Sequence, residues 1–271
     1  MTTHTHLIVG AGKMGGALIS GWLKTKVLKA ENLIILDPTP GQDALDAIKS
    51  GTTHIKKASK KISSVEYVLL AVKPQSFASL SDPIEKHLNK EATIISILAG
   101  TSLNSLQTAF PERSIIRAMP NTPAAIGKGI TAYTKGSGVS ASQEKMANSL
   151  LAATGDVHHV ANEHLIDVVT AVSGSGPAYV FHMVEALEAA AMHIGLPAEL
   201  APLFARQTLI GAAGLLAETD MPASELRQNV TSPNGTTAAA LDVLMDINGL
   251  PKLMRESVQA ALKRAKELAE Q

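Results

Sequence analysis

The first half of the chain alternates short apolar runs with segments of helical character. His6–Val9, Asn32–Leu36, Tyr67–Val72, Thr93–Leu98 and Ser114–Ala118 each read as a strand. They are largely apolar throughout rather than alternating, so both faces of the sheet must be covered, which implies a parallel sheet with intervening helices. The first run feeds a helix through about Lys26. Ile130–Tyr133 and Asp156–Val160 read as additional edge strands, with a helix around 140–153 between them. After about residue 161 the strand signals stop. Helical segments rich in alanine and leucine follow, near 163–172, 177–194, 198–218, 223–230, 236–247 and 250–269, punctuated by Gly-Pro and Pro-Asn-Gly turns. The expectation is an α/β domain with a mostly parallel sheet over 1–160 and an all-α domain over 161–271. Several of these helices are apolar around much of their circumference, so a second copy of the chain is expected to cover them.

Composition narrows the function classes. The 271 residues carry 24 basic and 24 acidic side chains, a formal net charge of zero, and 3% aromatics. Neither a cationic surface for nucleic acid or acidic lipid nor a base-stacking platform is indicated. No apolar run approaches the roughly 20 residues of a membrane-spanning helix. The N-terminal residues lack the features of a secretory signal, so a cytoplasmic location is expected. With no cysteine, disulfides, thiolate nucleophiles and cysteine-ligated metals are excluded. The histidines are expected to be structural or solvated rather than metal ligands; His158 and His159, adjacent on a strand, point to opposite faces. The Lys56-Lys57 and Lys60-Lys61 pairs read as a solvated face.

Two stretches suggest chemistry. Gly10-Ala11-Gly12-Lys13-Met14-Gly15 matches G-x-G-x-x-G between the first strand and the first helix. That is the context in which such a turn holds a dinucleotide pyrophosphate in a Rossmann-like domain. Asp37 ends the second strand, and two readings of it stand. As a ribose-hydroxyl acceptor it would repel a 2′-phosphate and favour NADH; as a turn residue it would only cap Asp37–Pro40, with Thr39 free to help hold a phosphate. Ala71, Val72, Lys73 and Pro74 close the third strand at its carboxyl end, where ligands lie in open α/β sheets. Lys73 is read equally well as a cofactor contact or as a solvated loop residue. Asn121, held in the rigid Met119–Pro123 loop, is a candidate for the nicotinamide amide.

The second stretch is Val230-Thr231-Ser232-Pro233-Asn234-Gly235-Thr236-Thr237. A turn feeding a helix aims free N–H groups and the positive end of the helix dipole at whatever lies in front, which suits a small carboxylate. Helix capping by Thr236 and Thr237 is the bland alternative and can coexist with a catalytic role.

This octapeptide, with Met-Pro-Asn-Thr-Pro at 119–123 and Ser-Gly-Ser-Gly-Pro-Ala-Tyr at 173–179, resembles the pyrroline-5-carboxylate reductase family nearly end to end. The resemblance implies NADPH- or NADH-dependent reduction of the C=N bond of 1-pyrroline-5-carboxylate to L-proline. It also implies a helical dimerisation domain and a homodimer, often built into a ring of dimers. The family's substrate loop maps onto Ser232, Asn234, Gly235, Thr236 and Thr237, with the Thr237 hydroxyl as partner of the imine nitrogen, and onto Ser175 and Gly176 beside the nicotinamide. Asn234 stands where that family commonly has glycine, and Asp37 where it frequently has small hydroxyl residues. Three rival readings differ in class: a reductase of another small cyclic imino acid, a β-hydroxyacid dehydrogenase-like enzyme, and a dinucleotide-binding regulatory protein. The dehydrogenase chemistry would want a lysine in the helical half, and none lies between Lys145 and Lys252.

Overall fold

The structure is a computed structural model that describes residues 5–269. His4 and the residues before it lie outside that range. Eight strands form one sheet in the order β3-β2-β1-β4-β5-β6-β7-β8: β1 Thr5–Val9, β2 Leu33–Leu36, β3 Thr53–Ile55, β4 Val65–Leu70, β5 Thr93–Ser96, β6 Ile115–Met119, β7 Gly129–Lys135 and β8 Gly155–His159. All neighbours are parallel except β6 and β7. β3, on the outer edge, is a strand that the apolar pattern does not predict. β7 is an interior strand rather than an edge, because β8 pairs along its far side.

The helices of this half are α1 Lys13–Lys24, α2 Gln42–Lys49, α3 Pro74–Glu85, α4 Leu103–Ala109, α5 Ala141–Ala152 and α6 His164–Val169. Alternate residues of each strand feed opposite faces of the sheet. Ile8, Ile35, Leu69 and Ile116 pack with Leu18, Ile19 and Trp22 of α1 and Leu150 of α5. Leu7, Val9, Leu36 and Leu70 pack on the other face with Ile84 of α3 and Leu106 of α4. The buried Trp22 indole donates to the Leu150 carbonyl at 2.7 Å, so the largest aromatic of the core also satisfies its polar atom.

The second half contains α7 Gly176–His193, α8 Ala201–Glu218, α9 Ala223–Asn229, α10 Thr236–Leu244 and α11 Leu250–Ala269. Gly195, at φ +99°, ends α7 with the paired bonds Gly195 N–H to Met192 and Leu196 N–H to Ala191, the arrangement that only a left-handed residue closes cheaply. Two compact units result. One runs through Ser175 and regains the chain from Ala261; the other is Gly176–Ala260. Within the first, the last turn of α11 returns to the sheet unit: at Gly100 (φ +68°) an added Cβ would lie 2.9 Å from the Leu268 Cβ. Among the described residues no helix is long and apolar enough to cross a membrane.

Candidate active site

In the first unit, β1 ends in a turn that tolerates almost no side chains where it touches protein. A Cβ on Gly10 (φ +91°) would meet the Ala71 carbonyl oxygen at 2.7 Å, and one on Gly15 would press into the Gly10 carbonyl oxygen. Gly12 is different: a Cβ there meets nothing within 4 Å. Gly12 is also the N-cap of α1 and has no side chain to satisfy the first-turn N–H groups. The glycines are therefore needed in two ways, for close packing at Gly10 and Gly15 and for open access to a bare helix start at Gly12. That is the cradle a pyrophosphate requires, and these residues fit a dinucleotide. Lys13 and Met14 open the helix beyond it.

The loop after β2 braces this turn. The Ala11 N–H donates to Asp37 Oδ2 at 2.6 Å, the Thr39 N–H donates to Asp37 Oδ1 at 2.7 Å, and the Gly41 N–H donates to the Ala11 carbonyl at 3.0 Å. Both oxygens of Asp37 thus already hold backbone, as in the turn reading. The same residue lines a cavity of about 280 Å³ with Gly10, Pro38, Lys56, Lys57 and Val72. These positions follow β1, β2, β3 and β4, so the cavity lies over the carboxyl ends of four adjacent parallel strands. Ala71 is tied to β1 through its N–H to the Val9 carbonyl at 2.8 Å. Lys73 is exposed as N-cap of α3, with Pro74 in its first turn. Lys56 and Lys57 are exposed, as the reading of a solvated face expects, and also line this wall.

Further along the sheet, Asn121 follows β6 and is buried, and its Oδ1 accepts the Ile130 N–H at 3.0 Å. Its amide oxygen is thereby committed to the start of β7. On β6 itself Arg117 is buried and forms two ion pairs, with Glu163 at 2.7 Å and Asp167 at 2.8 Å. Glu163 Oε1 also accepts the Leu103 N–H at 2.7 Å. These bonds dock α6 on the sheet. Beyond α6 the helix widens to a π turn over Thr170–Gly174, where the Ser175 N–H reaches the Thr170 carbonyl at 2.9 Å. An added Cβ on Gly174 would lie 3.9 Å from Met119 Cγ. Met119, at the head of the Met-Pro-Asn-Thr-Pro segment, and Gly174 therefore meet within this unit, which ends at Ser175; Gly176 opens α7. The sequence marks Arg117 only as part of a strand; a lone arginine inside an apolar run is the available signal for a buried ion pair.

In the second unit, Ser232–Gly235 makes the turn before α10. Asn234 sits at φ +59°, the left-handed region that asparagine tolerates better than other non-glycine residues. The Gly235 N–H donates to the Ser232 carbonyl at 3.1 Å, and a Cβ on Gly235 would collide with Ser232 Oγ. Gly235, not a threonine, is the N-cap of α10, and no side chain caps the helix. Among the described hydrogen bonds neither the Thr236 nor the Thr237 hydroxyl has a partner, and Thr237 is half-buried. Capping does not account for either hydroxyl.

A mostly parallel sheet carrying a glycine turn at the mouth of its first helix, followed in the chain by an all-helical unit, is the plan of two-unit dinucleotide-binding oxidoreductases. Within it, residues 163–268 match the family model for pyrroline-5-carboxylate reductase dimerisation, and residues 6–100 match the model for NADP oxidoreductase, coenzyme F420-dependent. The chain is 39% identical over 263 residues to a pyrroline-5-carboxylate reductase of Synechocystis, covering 96% of this chain and 97% of that one. The structure of a pyrroline-5-carboxylate reductase from Coxiella burnetii superposes with a TM-score of 0.89 at 33% identity, covering 99% of both chains. The Plasmodium falciparum pyrroline carboxylate reductase with NADP bound superposes at 0.84 and 28% identity, also covering 99% of both. The chain belongs to the pyrroline-5-carboxylate reductase family.

Proposed function

We propose that the protein reduces 1-pyrroline-5-carboxylate to L-proline with NADPH or NADH, the last step of proline biosynthesis. The observation that carries this reading is the start of α10, which presents uncapped backbone N–H groups beside two hydroxyls that the fold does not use. A dihydronicotinamide held there would supply the hydride to the imine carbon. The chain supplies the rest. The first-turn N–H groups of α10, with Ser232, Asn234, Gly235 and Thr236 shaping the turn, hold the substrate carboxylate. The Thr237 hydroxyl hydrogen-bonds the ring nitrogen, which keeps its proton as the C=N double bond becomes a single bond. Orientation matters more here than a strong acid, because the protonated imine is already electrophilic. Gly10–Gly15, Asp37 and Ala71–Pro74 hold the dinucleotide, with Asn121, Ser175 and Gly176 at its nicotinamide end. Work is divided between residues 1–160, which bind the dinucleotide, and 161–271, which bind the substrate and dimerise. The homodimers assemble further into a ring, and the enzyme acts in the cytoplasm.

The test mixes purified protein, 1-pyrroline-5-carboxylate and either reduced cofactor, following loss of dihydronicotinamide absorbance and formation of proline. Absence of turnover with both cofactors would sink the assignment. Thr237→Ala should lower kcat by about ten- to a hundredfold, the worth of one hydrogen bond to a charged group, while leaving cofactor affinity unchanged. A variant as fast as the parent would remove Thr237 from the mechanism.

A further inference from the structure

Two cations stand in the cavity wall without an assigned task. Lys56 and Lys57 directly follow β3, are exposed, and line the same cavity as Gly10 and Asp37. Neither forms an ion pair with any described acidic side chain. The acid that faces them, Asp37, accepts a backbone N–H on each carboxylate oxygen. Both its oxygens are thus pinned toward backbone. One tethered carboxylate against two free ammonium groups leaves a net positive wall.

We propose that Lys56 and Lys57 bind a phosphate on the 2′-oxygen of the adenosine ribose and so make NADPH the preferred cofactor. The proposal rests on the reading that this cavity takes the adenosine half of the dinucleotide. A phosphate monoester carries about −1.5 to −2 charge near neutral pH, so it gains from both lysines, whereas the free hydroxyl of NADH gains little. Asp37 alone suggests the reverse preference. Its two backbone bonds are the reason it does not decide the matter: it shapes the turn, and the lysines one strand further out read the ribose.

The experiment uses fragments that lack nicotinamide. Calorimetry should show 2′,5′-ADP binding the parent about tenfold more tightly than 5′-AMP, with the margin shrinking as salt is raised. The double variant Lys56→Ala/Lys57→Ala should lose that margin and keep its affinity for 5′-AMP. Lys56→Arg/Lys57→Arg should retain it. In turnover, the alanine pair should raise KM for NADPH about tenfold, well beyond any change in KM for NADH. Equal affinity of the parent for the two fragments, or an alanine pair indistinguishable from the parent, overturns the proposal. Lysine-dependent 2′,5′-ADP binding in a protein that fails to reduce 1-pyrroline-5-carboxylate supports this subsite and removes the reductase reading instead.

Discussion

The sheet unit and the helical unit spend their apolar residues differently. Strands β2, β5 and β6 are buried at every position, and α1 buries six residues within the chain. In the second unit α7, α9 and α10 have no buried residue, and α8 buries only Ala201 and Ala205. Phe181 and Phe204 are 64% and 61% exposed, and Ile210, Leu215 and Leu216 on α8 are exposed as well. A single chain thus closes one core and leaves the other open. The match of residues 163–268 to a dimerisation model makes a second copy of the chain the expected occupant of that open face. The first unit should therefore report mutations as lost stability, and the second as lost association.

The largest effect should come from Arg117→Ala. It leaves Glu163 and Asp167, with side chains 31% and 14% exposed, facing each other without their cation. Removing one partner from a buried ion network costs about 3 kcal/mol. Urea unfolding should show the loss, and Arg117→Lys should recover only part of it, because a single ammonium cannot reproduce the two-armed geometry. A variant as stable as the parent would mean that α6 does not depend on this pair to dock. On the helical side, Phe204→Glu should weaken dimerisation by about thirtyfold, near 2 kcal/mol, with little change in helix content. Sedimentation equilibrium separates the two outcomes. An undiminished dimer would place the interface elsewhere on the second unit.

The contrast between the units is partly legible in the amino-acid sequence. Continuous apolar runs locate β1, β2, β4, β5 and β6, and alanine-rich segments bounded by glycine and proline locate α7 to α11. β3 escapes that pattern because Thr53-His54-Ile55 is too short and too polar to form a run. With it goes the placement of Lys56 and Lys57, which are seen to face a cavity only once the strand that precedes them is known. The π turn at Thr170–Gly174 has no separate residue signature, since it differs from an α-helix only in which carbonyl each N–H reaches. The candidate site is legible as segments, not as bonds. The end of β2 identifies Asp37, but not that both its oxygens accept backbone. The threonines at 236 and 237 mark a helix start, but the cap is Gly235, which frees the hydroxyls.

The smallest effect probes the surface of the sheet unit, where its rule of local stability should be weakest. Glu144 on α5 accepts from Lys135 and, at 3.0 Å, from the Tyr133 hydroxyl on β7. The hydrogen bond from Lys135, seconded by Tyr133, holds its carboxyl below the usual value. The depressed folded-state pKa fixes the sign. The pair stabilises fully above the unfolded carboxylate pKa of about 4.3, and the contribution is lost as pH falls through the lower folded value. Glu144→Gln should therefore cost only about 0.5 kcal/mol at neutral pH, as screened pairs do. The difference from the parent should shrink below about pH 4, where protonation removes the charge from the parent as well. Denaturant curves at neutral and acid pH measure both values. A difference that persists undiminished in acid would show that Glu144 acts through packing against β7 rather than through its charge.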